Sequence, residues 1–136
     1  MCYHFLVFAY RGINSKLNFT EKVKNDLIRI IDFLFNKYNI SNIVCEIILQ
    51  RKDRNYPQFL GNQIAINPTA GLGDYHQIDF HFSHELTHAI QYSKGLIELK
   101  EYPKEHPIEI EARKNAFETI FHLLGYEDYA KKIGNL

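Results

Sequence analysis

The chain is poor in several features that would assign it quickly. It has two cysteines in 136 residues, Cys2 and Cys45, and no C-x-x-C pair. Two thiols make no disulfide framework and no cysteine-based zinc knuckle. It has no excess charge either: sixteen basic residues balance sixteen acidic ones. A neutral chain lacks the electrostatic footprint of a nucleic-acid binder, so no nucleic-acid partner is expected. The one basic cluster, "RKDRN" from Arg51 to Asn55, reads as a solvated hairpin tip. No apolar run approaches the ~18 residues of a membrane span, so no membrane partner is expected. The start, "MCYHFLVFAYRG", is apolar but has no basic n-region and is short for a signal peptide. Its alternation suits a strand. The expectation is a cytoplasmic protein with reduced thiols.

There is also no repeat, no low-complexity tract and no linker. Residues 1–136 therefore read as one domain, long enough to bury a core. "RGINSK" reads as a loop. Residues 18–39 read as a helix, with Asn18 and Glu21 at capping-box spacing. Val23, Leu27, Ile30, Ile31 and Leu34 recur along it at helical intervals. "NIVCEIILQ" reads as a strand buried on both faces. Residues 56–68 give one or two short strands about a turn at Gly61–Asn62. "TAGLGD" is a loop, with Asp74 as N-cap of the next helix and Gly95 as its stop. A last long helix follows Pro107 and ends near Leu124, before Gly125. "YEDYAKKIGNL" reads as a short terminal helix at best. The fold class is α+β: a small mixed sheet packed on an N-terminal helix and a second helix, with a further helix towards the C-terminus.

The chemistry lies in "HFSHELTHAI", residues 81–90. His84 and His88 are four apart, about 40° on a helical wheel, so both imidazoles can reach one ion. Imidazole is a favoured zinc ligand. Glu85 sits on the flank of the same face, where a carboxylate can act as general base. Phe82, Leu86, Ala89 and Ile90 fall on the other side, so the core face is complete without the histidines. His81, one turn earlier, stands near the same cleft as a supporting group or a solvated ring.

A catalytic zinc site normally adds a third protein ligand. The third-histidine continuation of the motif is absent, which leaves "HPIEIEARKNAFETIF" with Glu109, Glu111 and Glu118. Ala112, Ala116, Ile120, Leu123 and Leu124 define the inner face of this helix. Glu109 falls near its centre; Glu111 and Glu118 fall opposite, with Lys114 and His122. An inward carboxylate is costly unless paired or metal-bound. Glu109 is thus the leading third ligand, with pairing to Arg113 as its ordinary alternative. Glu111 is the runner-up.

At this point the chain resembles the gluzincin class of zinc metallopeptidases. "HELTH" is followed, 21 residues after His88, by "EIEA" at Glu109. The small members it looks like are the ImmA/IrrE-type peptidases and the minigluzincins. The resemblance covers residues 64–124 by motif order. It implies a zincin-like fold and one zinc ion per chain, held by His84, His88 and Glu109. It also implies peptide-bond hydrolysis by a zinc-activated water, with Glu85 as general base. The expected partner is a protein or peptide substrate, with a regulatory protein partner as a further expectation; the small size leaves little room for a deep specificity cleft. Four residues after Glu109 the class has Asp or Asn to orient a zinc ligand; here Arg113 stands there. If Glu111 were the ligand, Asn115 would fill that place. Candidates for stabilising the oxyanion are Tyr92, Tyr102 and His106, with Tyr75 and His76 also near. The resemblance further places an extended peptide along the strand "QIAIN", as sheet edge. The competing expectation is a catalytically weak or inactive zinc-binding regulatory module.

Overall fold

The computed structural model describes residues 8–50, 58–59, 61–66 and 75–125. The expectations for Cys2, "RKDRN", "TAGLGD", the Asp74 cap and "YEDYAKKIGNL" lie outside the described residues, as do the side chains of Tyr75 and His76.

The chain is a mixed α+β domain. Its elements run β1 (Phe8–Tyr10), β2 (Ile13–Ser15), α1 (Glu21–Tyr38), β3 (Cys45–Leu49), β4 (Gln58–Phe59), β5 (Gln63–Ile66), α2 (Tyr75–Ser93) and α3 (Pro107–Glu118). A π-helical turn, Thr119–Leu123, extends α3. The sheet order is β1-β2-β3-β5-β4. The inner pairs β2–β3 and β3–β5 are parallel and the outer pairs antiparallel. No helix among the described residues is long and apolar enough to cross a membrane.

The "RGINSK" segment contains β2 and is no loop. Its strand is set by a two-residue turn: Tyr10 pairs with Ile13, and Arg11 and Gly12 both have positive φ, 51° and 90°. Hairpins favour such turns because their twist matches the strands. At position 12 only glycine fits, since a Cβ there would lie 2.1 Å from the Ile43 carbonyl oxygen. Arg11 is held in its unusual conformation by tertiary contacts. Its guanidinium donates to the carbonyls of Ser41 and Ile40, both at 2.9 Å, and pairs with Asp32 at 3.1 Å.

Helix α1 starts at Thr20 rather than Asn18: the Thr20 hydroxyl accepts from the Val23 amide at 3.2 Å. Its apolar stripe is buried as the periodicity predicts, with Phe35 added. Strand β3 departs from expectation. Cys45 and Ile47 are buried, but Glu46 and Ile48 are only partly covered and Leu49 is exposed. Among the described residues the helices pack on one sheet face, so the strand alternates as half-buried strands do.

The core lies between that face and α1 and α2. Phe8, Ile13, Cys45, Ile47, Ile64 and Ile66 meet Leu27, Ile31, Leu34, Phe82, Leu86 and Ile90. Each large aliphatic or aromatic side chain fully buried there contributes about 2 kcal/mol of apolar transfer. Helix α3 packs on α2. A Schellman motif ends α2: the Gly95 amide bonds the Tyr92 carbonyl and the Leu96 amide that of Gln91, with Gly95 at φ 74°. The chain then crosses to His106, whose Nδ1 caps α3 by accepting from the Ile108 amide at 3.1 Å. Pro107 occupies the first helical position, where a missing N–H costs nothing.

The strand "QIAIN" does not form the sheet edge. β5 lies inside, between β3 and β4, and the short β4 is outermost. The turn at Gly61 folds β4 back along β5, Phe59 opposite Ile64.

Candidate metal centre

Helix α2 turns one face to the core and the other to α3. Phe82, Leu86 and Ile90 are fully buried on the first. His84 and His88 lie on the second, one turn apart, ring centroids 5.0 Å from each other. Helix α3 meets them with Glu109 from its first turn. Glu109 Oε1 is 3.3 Å from His84 Nε2, and Glu109 Oε2 is 3.0 Å from His88 Nε2. One ligand atom from each of the three residues falls within 4.8 Å of the others. The histidines pull the Glu109 carboxyl below its ordinary pKa, the hydrogen bond with His84 most strongly. Burial lowers the pKa of His88 and so favours its neutral ring.

Arg113 takes no part in this cluster. Its guanidinium donates to the Lys104 carbonyl at 2.7 Å, so Glu109 faces the histidines instead of its i+4 neighbour. Glu111, which the helical wheel sets opposite the inner face, is not turned away from α2. It is half-buried, accepting from Gln91 Nε2 at 3.0 Å and from the Tyr38 hydroxyl. The wheel considered α3 against α2 alone, whereas the end of α1 also covers this side. Glu118 pairs with Lys37 at 2.9 Å, also from α1.

His88 has a second partner. Its Nδ1 lies 2.8 Å from Gln91 Oε1, and the Gln91 amide nitrogen donates to the Ile108 carbonyl and to Glu111. Two acceptors on the NH₂ side fix which way that amide points. Gln91 Oε1 must then accept, and His88 Nδ1 carries the proton. The group that meets the His88 ring is thus Gln91, three residues on in the same helix. Sequence reading missed it, although position i+3 shares the face of His88.

The tautomer has a consequence for the site. With Nδ1 protonated, Nε2 of a neutral His88 presents a lone pair to a carboxylate oxygen 3.0 Å away. At that distance either a proton on His88 Nε2 or a metal ion joins the two groups. Two donors each about 2 Å from a tetrahedral zinc lie about 3.3 Å apart, close to both observed separations. The donor set of two imidazoles and a carboxylate also fits zinc.

Glu85 is buried beside the cluster. Burial is the main cause that pushes its pKa up to about 7, with Glu109 adding to it; His84 and a backbone hydrogen bond from Phe59 act against it. His81 is partly buried and its pKa is lowered, first by burial and then by His84.

The oxyanion candidates each have partners of their own. Tyr92 is 40% exposed and packs edge-on against Phe59, centroids 5.6 Å apart. The Tyr102 hydroxyl accepts from the Glu98 amide at 3.0 Å, and its ring meets His106 at 4.9 Å. His106 is engaged as the cap of α3. His106 is not a member of the His84–His88–Glu109 cluster. Cys45 is a buried free thiol in the core, its pKa pushed up to about 12 by burial.

The chain matches no family model, no curated protein and no solved structure.

Proposed function

We propose that this protein is a zinc-dependent peptidase of minimal, zincin-like architecture. The observation that carries the reading is the convergence of His84, His88 and Glu109, one ligand atom of each within 4.8 Å of the others, beside the buried Glu85. His84, His88 and Glu109 would hold one zinc ion. A zinc ion in such a site supplies Lewis-acid polarisation of a carbonyl and acidifies a water molecule.

The chain's own residues account for the proton. Glu85 lies next to His84 in the sequence and is shielded from bulk solvent. A carboxyl with pKa about 7 can both take and return a proton near neutral pH. In peptide hydrolysis it takes one proton from the attacking water as the new C–O bond forms. It then delivers that proton to the amine nitrogen as the C–N bond breaks. The burial that excludes water strengthens these interactions.

Metal analysis of the purified protein tests the reading. One zinc per chain, lost on His88→Ala, is the expected result. A wild-type chain that holds no zinc and takes none up on titration overturns it.

A further inference from the structure

The two ligand-bearing helices are joined behind the site by a polar network that the chemistry above does not use. Gln91 is 1% exposed and stands at its centre. Its carbonyl oxygen holds His88 Nδ1; its amide nitrogen holds the Ile108 carbonyl and Glu111 Oε1, both on α3. Ile108 and Glu111 bracket Glu109 in the sequence. One side chain therefore contacts a ligand of α2 directly and fixes the turn of α3 that carries the other ligand.

The network continues into α1. Tyr38 donates its hydroxyl to Glu111, and burial keeps its phenol protonated by raising its pKa above the ordinary value. The same hydroxyl accepts from Asn115 Nδ2 at 2.7 Å. Asn115 also donates to the Thr87 hydroxyl at 3.1 Å and accepts from Lys37 Nζ at 2.7 Å. Each of these groups is satisfied, which is the condition for a buried network to specify one arrangement.

We propose that Gln91 is a positioning residue that couples the two halves of the metal site. It fixes the His88 tautomer and, through Glu111 and Ile108, holds the first turn of α3 so that Glu109 meets the histidines. The proposal rests on the zinc reading. Partners that orient metal ligands typically change metal affinity 10–100-fold when removed.

The test is zinc affinity, measured by competition with a chromophoric chelator, together with the visible spectrum of the cobalt(II)-substituted protein. Four chains are compared: wild type, Gln91→Leu, Gln91→Glu, and Gln91→Glu combined with Glu111→Gln. Gln91→Leu should lose about 10–100-fold in affinity and alter the cobalt spectrum, because His88 loses its partner. Gln91→Glu keeps an acceptor for His88 but sets two carboxylates against each other. Glu111→Gln in that background restores the 91–111 donor–acceptor pair in reverse but not the bond to the Ile108 carbonyl, so it should recover part of the affinity, at least about threefold above Gln91→Glu alone. A merely structural role predicts no such reciprocal rescue of the cobalt spectrum. Folded Gln91→Leu with wild-type affinity overturns the proposal. If that variant fails to fold, a double variant no better than Gln91→Glu alone overturns it. Zinc absent from wild type removes the functional reading, and this inference with it.

Discussion

Asp79 of α2 sets its carboxyl against that of Asp26 of α1, and both are buried. No donor among the described residues reaches either Asp79 oxygen, so the pair is held only if Asp79 keeps its proton and donates it to Asp26. Lys22 pairs with Asp26 at 2.7 Å, on the side of α1 that reaches solvent. Burial first and the Asp26 carboxylate second push the Asp79 pKa up to about 8, while Lys22 and Arg29 act against them. The native state therefore keeps a proton on Asp79 that the unfolded chain, with an ordinary value of about 3.9, has released. Between those two values the native state binds more protons, so stability falls as pH rises from about 4 to about 8 and levels off above. The separation sets an upper bound of ~6 kcal/mol on this effect. Asp79→Asn removes the titrating group and keeps its shape. Its thermal stability should exceed wild type at pH 8 and vary less from pH 5 to 8. Parallel pH profiles for the two proteins would contradict this.

Gly12 gives a sharper stability test. A Cβ at this position meets the Ile43 carbonyl oxygen at 2.1 Å, and its φ of 90° suits no other residue well. Gly12→Ala must displace β3 from β2 or open the hairpin turn. The expected loss is at least ~2 kcal/mol, read from denaturant unfolding. Gly95→Ala is the control. Its φ is also positive, but nothing lies near the added methyl, so about 1 kcal/mol is expected there.

These two sites also mark where sequence reasoning stops. Local periodicity was enough for α1, for the buried stripe of α2 and for the placement of His84 and His88 on one face. The inward position of Glu109 followed from the alanines that share its helix face. The β1–β2 turn was hidden because its first residue is Arg11. That residue tolerates positive φ through partners 21 to 30 positions away. Glu111 was misplaced for a similar reason. A wheel describes one helix and one neighbour, and here Tyr38 arrives from a third element 73 residues earlier. Asp79 and Gln91 look like ordinary polar helix positions until tertiary packing buries them.

The choice between the two glutamates has a direct experimental form. Glu109 presents its oxygens to both histidines, while Glu111 is occupied by Gln91 and Tyr38. Glu109→Ala should abolish stoichiometric zinc binding in a metal assay. Glu111→Ala should still reach about one zinc per chain at saturating metal, with weaker affinity. It should also unfold more easily, by about 1–3 kcal/mol, because the Gln91 amide and the Tyr38 hydroxyl lose their acceptor. The reverse pattern would move the third ligand to Glu111.

Glu85→Gln separates catalysis from metal binding. Glu85 is adjacent to the ligand set but contributes no atom to it, and the substitution preserves size and burial. Zinc content and thermal stability should therefore remain close to wild type. Peptide hydrolysis should fall by at least ~100-fold, since the amide cannot take and return the proton at neutral pH. Assays on a denatured-protein substrate with both variants at full zinc loading make the comparison clean. Retained turnover in Glu85→Gln would remove the general-base assignment. Absence of turnover in both proteins, with zinc bound in each, would favour the regulatory module. In that case His84, His88 and Glu109 serve to fasten α3 to α2, and chelation should lower the unfolding temperature.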